Sequence, residues 1–296
     1  MSSKVFLTAG IFLTIAVLFP AAAGDIEREP ATVGTTVIDR EQGFIDLTIT
    51  AEIPAEGKSL PAESIRMERS IQQSLSRHLS EVIQILPVDS YRRGIDFIRE
   101  DHELVSAISS TAAKGERKFP EISSDLKKMS ITYRFYIYPD IAGLFPSHSR
   151  TSMVPETLDW SPSSDYSGIV IYAAEPLPVR GENDNRLLEP CFFPRLFGED
   201  MEVAIESLMI NPEKIKQEGM VMYSRSLDPR DWTDRVGFNP LRITAKEIFG
   251  KNYTDIILFR RDLNKILYRE KNRRLISSGK ILIILHPEKA VQKKQL

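Results

Sequence analysis

The sequence of 296 residues contains a single cysteine, Cys191. One thiol makes no internal disulfide, so the fold does not lean on cross-links. Histidine is scarce as well. His78, His102, His148 and His286 stand far apart, and none belongs to an H-E-x-x-H helix or to a Cys–His ligand spacing. The acidic turns Glu182-x-Asp184 and Glu199-Asp200-x-Glu202 lack the alternating acids and fixed glycine of a calcium loop. No G-x-S-x-G elbow is present, and Gly250-Lys251-Asn252 has no upstream glycine at P-loop distance. Cys191, in LEPCFFP, has no basic neighbour before Arg195, so it reads as a buried, unreactive thiol. These absences lead to the expectation of a nonenzymatic protein with no catalytic residues, metal or cofactor. Charge of one sign is missing too: 39 Lys and Arg stand against 41 Asp and Glu, a net of −2. Nucleic acid is therefore not expected as a general partner, because phosphate binding needs clustered excess cation.

What is present begins with an export signal. Lys4 precedes an apolar run from Val5 to Phe19, followed by Pro20 and Ala21-Ala22-Ala23. A basic start, a short apolar stretch and an A-x-A site are the parts of a secretory signal peptide. Residues 1–23 are expected to be removed before Gly24, leaving a periplasmic or otherwise exported chain. The alternative is a retained N-terminal anchor. No later run is long enough to cross a bilayer, which takes about 20 apolar residues.

Residues 24–150 read as an N-terminal α+β module in the order β-β-α-α-β. Thr35 to Pro54 alternates apolar and polar residues on both sides of Glu41-Gln42-Gly43, a hairpin with glycine at the turn. Ile71, Leu75, Leu79, Val82, Ile83 and Leu86 then mark one face of a helix that starts near Pro61 and ends at Pro87. A second helix is expected from about Asp89, with Ile95, Ile98, Val105 and Ile108 on its buried face. Met129 to Tyr138 has the aromatic and β-branched content of a strand.

Prolines 155 and 162 and a cluster of Ser and Thr break all periodicity over residues 151–165, which read as a linker. Residues 166–286 form a strand-rich, mixed α/β C-terminal module. Its strands are expected at Gly168–Tyr172, Met220–Tyr223, Leu241–Ile248, Asp255–Phe259 and Ile281–Leu285, with a helix from about Asp262 to Asn272. Residues 287–296 read as a disordered tail. The fold class is thus α+β in two modules. Within the second, Arg260, Arg261, Lys265, Arg269, Lys271, Arg273 and Arg274 are opposed by Asp262 and Glu270 alone. This cluster is the candidate partner-docking segment; the alternative is a plain solvated face.

The second module resembles exported bacterial envelope proteins of the FlgT-like flagellar-assembly and small Helicobacter lipoprotein group. The likeness lies in Tyr166-Ser167-Gly168-Ile169-Val170-Ile171, in the segment Leu188 to Leu196, in Gly219 to Tyr223, and in Val236-Gly237-Phe238-Asn239-Pro240-Leu241-Arg242-Ile243-Thr244-Ala245. Two features depart from that group: Tyr172-Ala173-Ala174-Glu175 stands where an Asp-Ala-Arg-Gly string is common, and no cysteine follows the apolar run. The resemblance implies an envelope protein that assembles or supports an envelope structure, flagellar in some members, with an envelope protein as partner. It supplies no catalytic residues. A hydrolase acting on wall polymer and a binding module for an anionic envelope ligand are the competing expectations. The Val236–Leu241 string has a physical reading of its own. Gly237 permits a backbone angle that other residues resist, and Asn239 is driven from helix by Pro240, so the string fixes the start of a strand.

Overall fold

The computed structural model describes residues 31–54, 60–145 and 148–287. The expected signal peptide, its cleavage site, and residues 288–296 of the expected tail lie outside the described residues. The described part is α+β, with an N-terminal strand–helix module followed by a strand-rich mixed module.

In the first module β1 (Thr32–Asp39) and β2 (Phe44–Glu52) form an antiparallel hairpin in unbroken register from Thr32↔Ala51 to Asp39↔Phe44. The Asp39 carboxylate accepts from the backbone N–H of Glu41 and Gln42 at 3.0 and 2.8 Å, and Gly43 takes φ +74°, so the turn has the chemistry its sequence implies. Helix α1 (Leu60–Ile85) follows, then α2 (Gly94–Glu100) and α3 (His102–Ala112). Two short strands, β3 (Glu116–Arg117) and β4 (Glu121–Ile122), lead into β5 (Lys128–Tyr136). β5 lies between β2 and the two short strands, all antiparallel. One sheet face, built from Ile45, Leu47 and Ile49 on β2 and Ile131, Tyr133 and Phe135 on β5, shares a core with Met67, Ile71, Leu75, Leu79 and Ile83 of α1. The period-two and 3.6-residue patterns meet there as expected.

The single helix expected from Asp89 is instead a turn and two helices. Asp101 adopts an extended conformation (φ −130°, ψ 107°) and its carboxylate accepts from Glu103 N at 2.8 Å, so it caps a new helix rather than continuing the old one. The break turns the second helix, leaving Val105 exposed while Leu104 and Ile108 are buried.

The second module contains β6 (Ile169–Ala173), the small hairpin β7 (Leu177–Pro178) and β8 (Asn185–Arg186), β9 (Leu196–Phe197) and β10 (Val203–Ile205). Next come α4 (Pro212–Glu218), β11 (Met222–Ser224), α5 (Thr233–Val236), β12 (Leu241–Phe249) and β13 (Asp255–Leu258). The last elements are α6 (Arg260–Leu267), α7 (Glu270–Ser277) and β14 (Ile281–Leu285). Seven strands form one sheet in the order β10-β9-β13-β12-β6-β14-β11. β12, β6, β14 and β11 run parallel; β13 is antiparallel to β12, and β10 to β9.

Ile169, Ile171, Ile281 and Ile283 share a core with Leu263 and Ile266 of α6 and Leu275 and Ile276 of α7, whereas Val170, Leu282 and Ile284 pack with Trp232 and Val236. Cover on both faces is why these strands read as continuous apolar runs. The helix expected over 262–272 is two helices. Arg269 is extended (φ −99°, ψ 127°) and starts the second of them. The Val236–Leu241 string does tie strand starts together. Gly237 has φ +73°, Ser167 Oγ donates to Val236 O at 2.7 Å, and Asn239 N donates to Ser167 Oγ at 2.9 Å.

Candidate functional site

Cations from α6 and α7 meet acids of the chain itself. Arg260 Nη1 is 2.8 Å from Asp200 Oδ2, its Nη2 is 3.6 Å from Asp159, and its backbone N donates to Glu199 Oε2 at 3.0 Å. Lys265 pairs with Asp262 at 2.7 Å, and Arg261 lies 3.8 Å from the same carboxylate and over the Phe259 ring. Arg269 and Lys271 both hold Asp165, the lysine at 2.9 Å. Arg273 reaches Glu156 at 3.3 Å and donates to the carbonyls of Leu267 and Tyr268; its side chain is only 15% exposed. Arg274 pairs with Glu270 at 2.6 Å. The seven do not form one open basic face. Arg261, Lys271 and Arg274 stand furthest into solvent, while Arg273 ties the two helices together.

Glu156, Asp159 and Asp165 belong to residues 151–165, so that segment is a strap laid over α6 and α7. Uncharged groups hold it as well. Asn272 is fully buried, its Nδ2 donating to Ser164 O at 2.9 Å and Lys265 O at 3.0 Å while its Oδ1 accepts from Tyr166 N at 3.1 Å. Ser163 Oγ donates to Lys265 O at 2.7 Å, and Ser152 N to Leu208 O at 2.7 Å. The Lys271 ammonium, with Arg269 beside it, holds the Asp165 carboxyl below its ordinary range. The strap also turns three large hydrophobic side chains outward among its exposed polar ones: Met153 is 92%, Leu158 95% and Trp160 75% exposed. A tryptophan held out in solvent by an anchored segment is an informative exception to burial.

These strap residues were not among those singled out from sequence. The trace in the sequence is complementary sign alone: residues 151–165 contain acids and no cation, and the cation-rich helices begin about a hundred residues later, at Arg260.

The two modules meet over a mixed apolar and polar junction. Phe192 of the second module lies in the first module's core, with its ring 5.2 Å from Phe145 and 6.2 Å from Tyr138. Asp255 is fully buried; its carboxylate accepts from Arg195 N at 2.9 Å and from Arg195 Nη2 at 3.0 Å. Burial still pushes its carboxyl up, against the hydrogen bonds from Arg195 and Ser90. Asn252 N donates to Ser90 O, and its Nδ2 to Asp89 O at 3.0 Å. Cys191 is fully buried and its backbone exchanges two hydrogen bonds with the Tyr223 hydroxyl, each 3.2 Å. Burial lifts its thiol to about 12, out of reach of thiolate chemistry at neutral pH.

A cleft of about 180 Å³ opens at this junction between the β1–β2 turn and β11. Its two carboxylates are both engaged: Glu41 accepts from Ser224 Oγ at 2.5 Å and Arg225 N at 3.2 Å, and Glu218 pairs with Lys214 and Arg235. Gly219 makes room there, because a Cβ on it would lie 2.3 Å from the Tyr138 ring. Among the described residues no three His, Cys, Asp or Glu side chains gather as metal ligands would. His78 instead bonds Thr32 and Glu81, His148 the Ile210 carbonyl, and His286 the Ala174 carbonyl. No described helix is long and apolar enough to cross a membrane.

Residues 31–144 match the family described as Treponema pallidum Tp0624, N-terminal domain, and residues 168–287 match that described as Treponema pallidum Tp0624, second domain. The chain is similar to these two domains in the order in which its own modules occur. Neither description names an activity or a flagellar role. No curated protein matches the chain.

Proposed function

We propose that this protein is an exported, nonenzymatic component of the cell envelope that helps assemble or support an envelope structure by binding a protein partner. One observation carries the reading. The strap over α6 and α7 is anchored by buried hydrogen bonds and ion pairs, yet turns Met153, Leu158 and Trp160 outward. Exposed aromatic and aliphatic residues on a fixed support suit protein recognition, where such anchors dominate binding. Lys4, the apolar run after it and the A-x-A site support export.

An anionic ligand at Arg260, Arg269, Lys271 or Arg273 would have to displace Glu156, Asp159 or Asp165 from the cations they hold, which disfavours the anion-binding reading. The test combines fractionation with variants. The mature chain is expected in an exported fraction, beginning at Gly24. Leu158→Asp with Trp160→Asp is expected to abolish cross-links to its envelope partner while leaving the melting curve in place. Recovery of the chain from the cytoplasm with Met1 retained overturns export, and cross-links that survive in the folded double variant overturn the strap as the binding surface.

A further inference from the structure

The sheets of this protein end differently at their edges. In the first module, β3 and β4 close one side as two-residue strands bearing Glu116, Arg117 and Glu121. In the second, the end strands β10 and β11 have three residues each. Short length and charge are common ways to keep an edge from pairing with another chain. β1 has neither. It runs for eight residues with no bulge, with no charge or proline from Thr32 to Ile38, and no described strand pairs its outer side. Val33 is 54% and Val37 64% exposed.

The residue pattern identifies the occupant. Around Thr35 the open face of β1 reads Val33, Thr35, Val37, the same in either direction. We propose that two copies of this chain pair edge to edge through β1, antiparallel about a two-fold axis at Thr35. In that register Val33 faces Val37 of the second copy and Thr35 faces its own counterpart. On the other face Thr32 faces Ile38 and Gly34 faces Thr36. Asp39 falls opposite Ala31, so no like charges are opposed. The contact is isologous, as a two-fold dimer requires. It supplies backbone partners to groups that otherwise depend on water and joins two sheets into one. A shift of one residue would put the valines opposite residues of the other face, so the exposed valines select this register. The inference stands on the first module alone, independent of the strap.

The test is the mass of the mature chain by sedimentation and light scattering over a range of concentrations. The wild type is expected to dimerise. Thr35→Lys places two ammonium groups directly opposite each other and is expected to weaken the dimer by about tenfold or more. Val33→Lys also weakens it, whereas Val33→Lys with Val37→Glu restores it, because each lysine then faces a glutamate. All three positions are exposed, and melting curves check folding. A wild type that stays monomeric overturns the proposal. So does a dimer indifferent to Thr35→Lys, or a folded Val33→Lys/Val37→Glu chain that fails to pair.

Discussion

Arg195 holds Asp255 with its backbone N–H and its guanidinium, and the same Nη2 donates to Ser90 Oγ of the first module at 2.9 Å. One side chain thereby neutralises a buried carboxylate and bridges the modules. Removing it strands the charge.

Arg195→Ala is therefore expected to cost about 3–5 kcal/mol at neutral pH, the usual penalty for breaking a buried pair. The Asp255 carboxyl is already raised above its unfolded value of 3.8 by burial. A raised carboxyl contributes stability below the unfolded value and loses it as pH climbs through the folded one. The variant should accordingly recover part of its loss on acidification, and Arg195→Ala combined with Asp255→Asn should be more stable than Arg195→Ala alone. Urea melts at neutral and acidic pH read both effects; equal stability of the single and double variants would refute them.

Leu79 is fully buried against the sheet face carrying Leu47 and Ile49, while Gln73 faces solvent. Leu79→Ala should cost about 2–5 kcal/mol as a cavity substitution. Gln73→Ala should stay within about 0.5 kcal/mol of wild type. Denaturant midpoints decide it.

On the open sheet face Asp46 accepts from Arg134 Nε at 2.7 Å and Nη2 at 2.8 Å, with Lys118 also at 2.8 Å. The Arg134 hydrogen bond, joined by Lys118, holds the carboxyl below 3.8. A depressed carboxyl contributes stability above the unfolded value and loses it as pH falls through the folded one. The stability gap between wild type and Asp46→Asn should thus be constant at neutral pH and shrink below about pH 4. Thermal melts across that range show whether it does.

Asn272→Ala removes the buried amide that fixes the strap. Each buried group left without a partner costs about 1–3 kcal/mol. The variant should melt earlier, and proteases should cut residues 151–165 faster than in wild type. Unchanged cleavage with a lowered melting point would mean that the ion pairs alone hold the strap.

Much of the fold could be read in advance because pattern and environment agreed. The β1–β2 hairpin, α1, β6, β12, β13 and β14 each carry one clear periodicity or an unbroken apolar run. Helix breaks were harder to see. Asp101 and Arg269 are ordinary helix-surface residues by pattern, and only their backbone geometry shows that they start α3 and α7. β9 and α4 were missed because two residues, or seven, are too few to show a period. The cations from Arg260 to Arg274 were legible as a cluster. Their partners Glu156, Asp159 and Asp165 were not, since contact across a hundred residues leaves no local trace beyond complementary sign. The exposure of Trp160 depends on how the strap lies, which no periodicity encodes.

The order of strands in the second module has a consequence for how the chain folds during synthesis. β6 is made first in this sheet and β14 last, yet the two are neighbours along five residues, and β11 pairs with β14. Until residues 281–285 emerge from the ribosome, β6 has one bare edge and β11 has no place in the sheet. Such distant pairings close slowly and leave apolar edges open meanwhile. The first module needs nothing beyond β5 for its sheet and can form early. The nascent chain should therefore spend its synthesis half folded, with the second module open until its final strand arrives.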